Sequence, residues 1–369
     1  MTAKGLRTLL CVVGARPNYM KIGPVLAALD AVPRFRTVLI HTGQHYDPQM
    51  NDALFADLGI RAPDVNLAVG SASHAVQTAQ VMMRFEPVVT GAADPVVLVV
   101  GDVNSTLACA LVAAKLGVKV AHVEAGLRSG DRAMPEEINR ILTDQLSDWL
   151  FCTEAEALDN LRAEGIDAGR VHLVGNVMID TLLGNLKRAV PAAATLAGSG
   201  VDASSYGLVT LHRPANVDDE GVLAGLVDSL VAIAAHLPLA FPCHPRTRQR
   251  LEAFGFLDRL RAAPIALLEP QGYLAMLGLM AGSRLMLTDS GGIQEETTAL
   301  GVPCLTLRDN TERPITVDEG TNTLVGRDPK AIMAAFADWR ATGGKGGRVP
   351  ALWDGRAAER IARILDAEA

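Results

Sequence analysis

Val96-Val97-Leu98-Val99-Val100, followed by Gly101-Asp102-Val103-Asn104-Ser105-Thr106 and a helix-period segment over Ser105–Lys115, decides the fold class. Five consecutive apolar residues without polar alternation suit a strand buried on both faces, as in a parallel sheet covered by helices. The same unit of β-branched run, turn and helical stretch recurs outward along the chain. Strand-like runs stand at Thr8–Val13, Thr37–Thr42 and Lys119–Val123, and Met20–Leu29 reads as a helix. A second series comprises Gly207–Leu211, Leu239–Pro242, Ile265–Leu268, Leu285–Thr288 and Pro303–Leu307. This alternation predicts an α/β protein with two doubly wound, Rossmann-like domains facing a central cleft. Between the series, Pro191–Gly207 is rich in Ala, Gly and Ser and reads as a linker or solvated connection. A Gly-rich loop at Gly343–Val349 precedes a last amphipathic helix over Arg356–Ala367.

The 369 residues leave room for two domains with a large core. Apolar residues at 49%, charged residues at 20% and aromatics at 4% exclude a disordered tail protein, a collagen and a coiled coil. The net charge of −7 argues against broad binding to nucleic acid or an anionic membrane. Cys11, Cys109, Cys152, Cys243 and Cys304 stand far apart, in neither a zinc nor a disulfide pattern, and read as core hydrophobes in a reducing compartment. The longest early apolar run, Leu9–Val13, is too short for a signal peptide or a membrane span, so a cytoplasmic location is expected.

In doubly wound sheets ligands bind beyond the carboxyl ends of the strands. After the first strand, Gly14-Ala15-Arg16-Pro17-Asn18-Tyr19-Met20-Lys21 is neither a dinucleotide fingerprint nor a P-loop. It sets two cations, Arg16 and Lys21, beside a helix N-terminus that favours anions, and reads equally as a solvated pair. Asp102 follows the Val96–Val100 strand and suits either a helix cap or a cleft carboxylate. Glu124 ends the strand after that, in His122-Val123-Glu124-Ala125-Gly126; His122 shares its alternation and reads as a satisfied core histidine. Glu136, in Pro135-Glu136-Glu137-Ile138-Asn139-Arg140, has the position of an ordinary helix-dipole partner. Three acids in one cleft raise one another's pKa and become competent to move protons near neutral pH; the competing use is a magnesium site. His212, and His244 with Arg246, stand at strand ends of the second series, each as readily structural as catalytic. Thr288-Asp289-Ser290-Gly291-Gly292-Ile293-Gln294-Glu295-Glu296 has the pattern of a phosphate cradle, with Glu296 placed to accept from a ribose diol and Arg313 to add charge, the alternative being a simple Gly-rich strand-to-helix turn.

In this order and spacing, Gly14–Lys21, Gly101–Thr106, His122–Arg140, Thr210–Asp218, Glu269–Leu274, Asp289–Glu296 and Thr311–Pro314 resemble the non-hydrolysing UDP-N-acetylglucosamine 2-epimerase family. The resemblance implies a glycosyltransferase-B-like fold, with a first domain over 1–180, a UDP-binding domain over 181–353, and a terminal helix, 354–369, packed back on the first. It implies a homodimer that uses neither NAD nor an essential metal and takes a UDP-sugar as substrate. By matching positions it assigns Gln271 to the uracil, Ser290, Gly291 and Gly292 to the phosphates, Glu296 to the ribose, and Arg313 to the UDP site. Arg16, Lys21, Asp102, Glu124, Glu136 and His212 match the catalytic cleft. The three acids are then the proton-transfer groups, and His212 and Arg16 stabilise the departing diphosphate. Gly43-Gln44-His45-Tyr46-Asp47 looks like relatives that epimerise 2,3-diacetamido sugars, whereas those relatives usually carry lysine where Glu295 stands. The arginine that serves substrate activation in many bacterial members has no match in Gly70–His74. A glycosyltransferase, a hydrolysing epimerase and a non-catalytic nucleotide-sugar sensor are the rival readings.

Overall fold

Strands that shed water on both faces need helices on both faces, and the computed structural model, which describes residues 6–43 and 55–369, has that arrangement twice. The chain divides into one unit of Met1–Gly184 with Ala351–Ala369 and another of Asn185–Pro350.

In the first unit β1 (Arg7–Val13), β2 (Phe35–His41), β3 (Val65–Asn66), β4 (Pro95–Val100), β5 (Val120–Ala125), β6 (Trp149–Cys152) and β7 (Val171–Leu173) form one sheet, in the order β3-β2-β1-β4-β5-β6-β7. All its pairings are parallel. Val96–Val100 of β4 are fully buried, as the unbroken apolar run requires. Leu10, Val12, Val97 and Val99 share a core with residues of α2 (His74–Thr90) and α3 (Asn104–Lys115), while α1 (Arg16–Asp30) and α4 (Pro135–Leu146) complete the helices used below.

The second unit repeats the scheme with β8 (Gly207–Thr210), β9 (Leu239–Pro242), β10 (Ile265–Leu268), β11 (Leu285–Thr288), β12 (Cys304–Thr306) and β13 (Asn322–Leu324), ordered β10-β9-β8-β11-β12-β13. Its core joins Val209, Phe241 and Leu287 to Leu223, Leu226 and Leu230 of the helix Glu220–Ala234. Both sheets thus have the doubly wound order in which chain direction reverses beside the first strand, opening a crevice between β1 and β4 and another between β8 and β11.

Three local readings change. Helix α1 begins at Arg16 rather than Met20, because Pro17 suits a first turn and Asn18 caps the entry. The Asn18 side chain accepts from the Gly14 and Ala15 amides at 3.3 and 2.9 Å and donates to the Val100 carbonyl at 3.0 Å. Pro191–Gly207 is largely exposed, as a solvated connection would be, but it lies inside the second unit and is no bare linker between the two. It contains the helix Ala192–Thr195, buries Leu196 and Tyr206, and receives the Leu274 carbonyl on the neighbouring Val190 amide at 3.0 Å. Glycines of the facing helix Tyr273–Gly282 permit the close approach: a Cβ on Gly278 would lie 1.7 Å from the Val190 carbonyl oxygen, and one on Gly282 would lie 3.4 Å from Ala192 Cβ. His122 and Glu124 do not alternate regularly, since β5 shifts register against β6 between Val123 and Ala125.

The terminal helix Ala357–Glu368 packs on α1. Its start has no side-chain cap of its own; the Asp180 carboxylate accepts from the Ala357 and Ala358 amides at 3.1 and 2.7 Å. Trp353 Nε1 donates to the Thr153 carbonyl at 3.2 Å. Asp180→Ala removes a cap and leaves buried amides unpaired, a loss of about 1–2 kcal/mol. The expected outcome is a lower Tm with faster amide exchange concentrated in residues 351–369; unchanged protection there would show that the cap does not hold the helix.

Candidate active site

At the β1/β4 crevice, Gly101 has a φ of +67°, and a Cβ there would meet Lys21 Nζ at 2.9 Å, Asn18 Nδ2 at 3.1 Å and Glu124 Oε2 at 3.4 Å. The bare backbone of Gly101 is therefore the floor under the Lys21–Glu124 ion pair, both of whose side chains are buried. Glu124 holds a left-handed φ of +73°, which few non-glycine residues adopt. The next residue but one is pinned in turn: the Gly126 amide donates to Asp144 Oδ2 at 3.1 Å, and Asn160 Nδ2 donates to the Gly126 carbonyl at 3.0 Å. Asp144 also receives His122 Nδ1 at 2.7 Å and Arg128 at 2.7 Å. His122 is fully buried, with Nε2 on the Gly101 carbonyl at 2.8 Å, so it is the structural histidine its position suggested.

Asp102 is tied to α4. Arg140 reaches Asp102 Oδ2 from Nε at 3.0 Å and from its terminal nitrogen at 2.9 Å, and Asn139 Nδ2 donates to the Asp102 carbonyl at 2.9 Å. Among the helix-start acids it is Glu137 that is buried and bound. It accepts from Ser129 N and Oγ, both at 3.0 Å, from Gly130 N at 2.9 Å, and from Arg140. Burial opposes its ionisation, yet these donors hold its carboxyl below the ordinary range. Glu136 stands beside it, half-buried in the first turn of α4. The expectation that the acids govern one another gives way to cations: Lys21 faces Glu124, and Arg140 faces Asp102 and Glu137. Arg16 opens α1, but its side chain lies outside the described residues, as do Gln44–Asp47.

At the β8/β11 crevice, α6 (Gly291–Leu300) starts directly after Ser290, whose amide donates to Thr288 Oγ1 at 3.0 Å. Gly291 and Gly292 form its first turn, and a Cβ on Gly291 would lie 2.5 Å from Glu312 Oε1. His212 is half-exposed with Nδ1 at 2.9 Å from the buried Asp289 carboxylate. The His244 ring lies tilted beside that of His212, with centroids 5.9 Å apart, while Arg246 pairs with Asp218. Gln271 precedes α5 (Tyr273–Gly282) and donates to the Glu269 carbonyl at 2.8 Å. Arg313 is buried against Glu295 at 2.8 Å. Glu296 is buried too, and accepts from Tyr273 Oη at 3.2 Å. Burial pushes its carboxyl up to about 8, with the Glu295 charge adding and the tyrosine hydrogen bond opposing.

The residues that sequence reasoning missed are the partners: Asn18, Arg140, Glu137, Asp144, Asp289 and Tyr273. Asp289 stood in a quoted motif without a role, and its place between strand and Gly-Gly turn was the available signal. The others act on groups 8 to 82 residues away in sequence, from Glu137 with Ser129 to Asn18 with Val100, which no local pattern encodes.

Two parallel sheets of doubly wound order, each with polar side chains gathered at its switch point, define a Rossmann-like α/β protein of the glycosyltransferase-B type. The fold alone is shared with a UDP-glucosyltransferase from Polygonum tinctorium, 14% identical with a TM-score of 0.55. Closer matches narrow the class. The chain belongs to the UDP-N-acetylglucosamine 2-epimerase family, whose model matches residues 27–366. It is 43% identical over 327 residues to a UDP-N-acetylglucosamine 2-epimerase of Methanococcus maripaludis, covering 87% of this chain and 88% of that one. It is 42% identical over 321 residues to the UDP-2,3-diacetamido-2,3-dideoxy-D-glucuronate 2-epimerase of Pseudomonas aeruginosa, covering 86% and 88%. A crystal structure of the Methanocaldococcus jannaschii UDP-GlcNAc 2-epimerase, in complex with UDP-GlcNAc and UDP, matches with a TM-score of 0.87 at 41% identity, over 98% of this chain and 99% of that chain.

Glu296 yields a pH test. Its folded pKa stands above its unfolded one, so its stability contribution is complete below about 4.5 and is lost as pH rises through about 8. Glu296→Gln removes that titration. The stability of the variant relative to wild type should therefore rise across this interval, by at most about 1.4 kcal/mol per pH unit. Thermal melts at several pH values check it, and a pH-independent difference would overturn the assignment.

Proposed function

We propose that this chain is a non-hydrolysing 2-epimerase that interconverts UDP-N-acetylglucosamine and UDP-N-acetylmannosamine by eliminating and re-adding UDP. A base takes the proton on sugar carbon-2. The electron pair of that C–H bond becomes the C1=C2 double bond of 2-acetamidoglucal, and the C1–O bond breaks with its electrons leaving on UDP. Re-addition of UDP at carbon-1 then accompanies delivery of a proton to the opposite face of carbon-2. Atoms balance without water, oxidant or reductant.

The observation that carries this reading is Glu124, a buried carboxylate on strained backbone, held against Lys21 at a switch point. A group placed there at such cost suits proton transfer. Asp102 and Glu136 join it as proton-transfer groups, with Lys21 as the cation beside Glu124 and Arg16 stabilising the departing diphosphate. In the second unit, Ser290, the amides of Gly291 and Gly292 and the positive end of α6 suit the diphosphate, with Arg313 adding charge. His212 stabilises the leaving group, Glu296 takes the ribose hydroxyls, and Gln271 the uracil. Relatives named for this reaction, and a relative's structure that holds UDP-GlcNAc and UDP, support the assignment.

A 2,3-diacetamido sugar is the second reading, favoured by the Pseudomonas relative and by Gly43–Asp47. Against it stands the buried Glu295–Arg313 pair, where lysine at 295 would set two cations together. We further propose a homodimer: Val76 and Met83 on α2 and Ile138 and Leu142 on α4 expose large apolar side chains on helices that both pack against α3. Light scattering of Met83→Glu and Ile138→Glu variants checks this, since a dimer using that face should dissociate. Five free, buried cysteines suit a reducing cytoplasm, and no helix among the described residues is long and apolar enough to cross a membrane.

NMR in deuterated water tests the reaction. UDP-N-acetylglucosamine should gain deuterium at carbon-2 as UDP-N-acetylmannosamine appears with its UDP attached. Free N-acetylmannosamine with UDP would instead mark a hydrolase, and exchange with the diacetamido substrate alone would select the second reading. Asp102→Asn, Glu124→Gln and Glu136→Gln should each lower kcat by roughly 100-fold or more with UDP affinity largely retained. Full activity in all three would sink the acid–base assignment.

A further inference from the structure

Asp289 follows β11 and directly precedes the Ser290–Gly292 turn, yet its carboxylate points back toward the end of β8. It is fully buried and surrounded by donors: the His212 amide at 3.2 Å to Oδ1 and 3.0 Å to Oδ2, the Arg213 amide at 2.9 Å, Asn216 Nδ2 at 3.2 Å, and His212 Nδ1 at 2.9 Å. The peptide is held as well, since Arg213 Nε donates to the Asp289 carbonyl at 2.9 Å. Burial works against ionisation, but these contacts keep the carboxyl below its ordinary range. A carboxylate so placed accepts a hydrogen bond from Nδ1–H and has no hydrogen to donate. The ring therefore carries its hydrogen on Nδ1, and Nε2 is the nitrogen left to act.

We propose that Asp289 is the positioning residue for His212: it fixes the ring's orientation and keeps a hydrogen on Nδ1, so that a second proton, when the ring carries one, sits on Nε2 and faces the diphosphate. This rests on the proposed epimerase reading. As the C1–O bond breaks, the electron pair goes to the diphosphate oxygen and the Nε2 proton hydrogen-bonds to it or passes to it. When UDP adds back, the same proton returns to Nε2. The logic is that of a buried acid orienting a histidine for another group's charge, here at a phosphate turn one residue away.

The test joins kinetics to histidine spectroscopy on the whole chain. Asp289→Asn should lower kcat roughly 10- to 1,000-fold with KM changed less than about threefold. In a His212→Asn background the same substitution should cost little more, because its effect runs through the ring. Losses that multiply in the double variant, or a KM effect alone, would overturn the proposal. Nitrogen-15 NMR of histidine-labelled wild-type protein needs neither turnover nor a foldable variant. It should show His212 with its hydrogen on Nδ1, in a far-downfield proton resonance, both free and with UDP. Hydrogen on Nε2 alone would refute the proposal whatever the enzyme's substrate proves to be, whereas failure to epimerise any UDP-sugar would refute the epimerase reading and leave the tautomer result standing.

Discussion

A doubly wound sheet has one weak seam. Where chain direction reverses, two neighbouring strands send their connections to opposite faces, and the backbone groups at their carboxyl ends lose the partners a regular ladder supplies. Each sheet here closes that seam with one short polar side chain. Asn18 spans it in the first unit, accepting from Gly14 and Ala15 after β1 and donating to Val100 at the end of β4. Asp289 spans it in the second, taking the amides of His212 and Arg213 after β8 from its place after β11. Thr210 and Thr288 reinforce that second seam, their hydroxyls 2.7 Å apart. The neutral amide serves where both donor and acceptor are needed; the carboxylate serves where only donors converge.

Closing the seams with polar atoms sets the electrostatics around them. Charges buried beside the seams need partners. Lys21 with Glu124, Arg140 with Asp102 and Glu137, Arg128 with Asp144, and Arg308 with Glu312 meet that need. Such pairs add little to stability as wholes, but breaking one by removing a single partner costs about 3–5 kcal/mol. They are better understood as holding orientation. Glu296 is the exception: its neighbour on the chain is another carboxylate, and its hydrogen-bond donor is a neutral tyrosine. Its raised pKa follows from that isolation.

The β9, β10 and β11 strands occupy the residues their apolar runs indicate, because a strand buried on both faces has no other local solution. The placing of candidate residues after strands was legible for the same reason. What escaped were features decided by distant atoms. Helix α1 gains its first turn from a bond to Val100, which lies 82 residues away. Pro191–Gly207 packs because Gly278 lets the Val190 carbonyl approach, and a stretch of Ala, Gly and Ser looks the same whether it lies against a helix or in water. Glu137 takes the buried, bonded position one residue from Glu136 because the Ser129 and Gly130 amides turn back over the helix start. Two adjacent glutamates carry no local mark of which one that loop will choose.

Glu124 shows why position and conformation have to be considered together. Regular alternation would give it the orientation of His122, whose ring is committed to Asp144 and the Gly101 carbonyl. The shift of β5 against β6 and the left-handed φ of +73° break that alternation and bring the carboxylate to Lys21. Left-handed backbone costs a residue with a Cβ about 1–2 kcal/mol, and glycine would avoid the cost. Glycine would also leave Lys21 buried without its counter-charge, a larger penalty than the strain it relieves. The bonds from Gly126 to Asp144 and Asn160 hold the turn shut just beyond the strained residue. The strain therefore persists because the ion pair on one side and the pinned glycine on the other each cost more to give up.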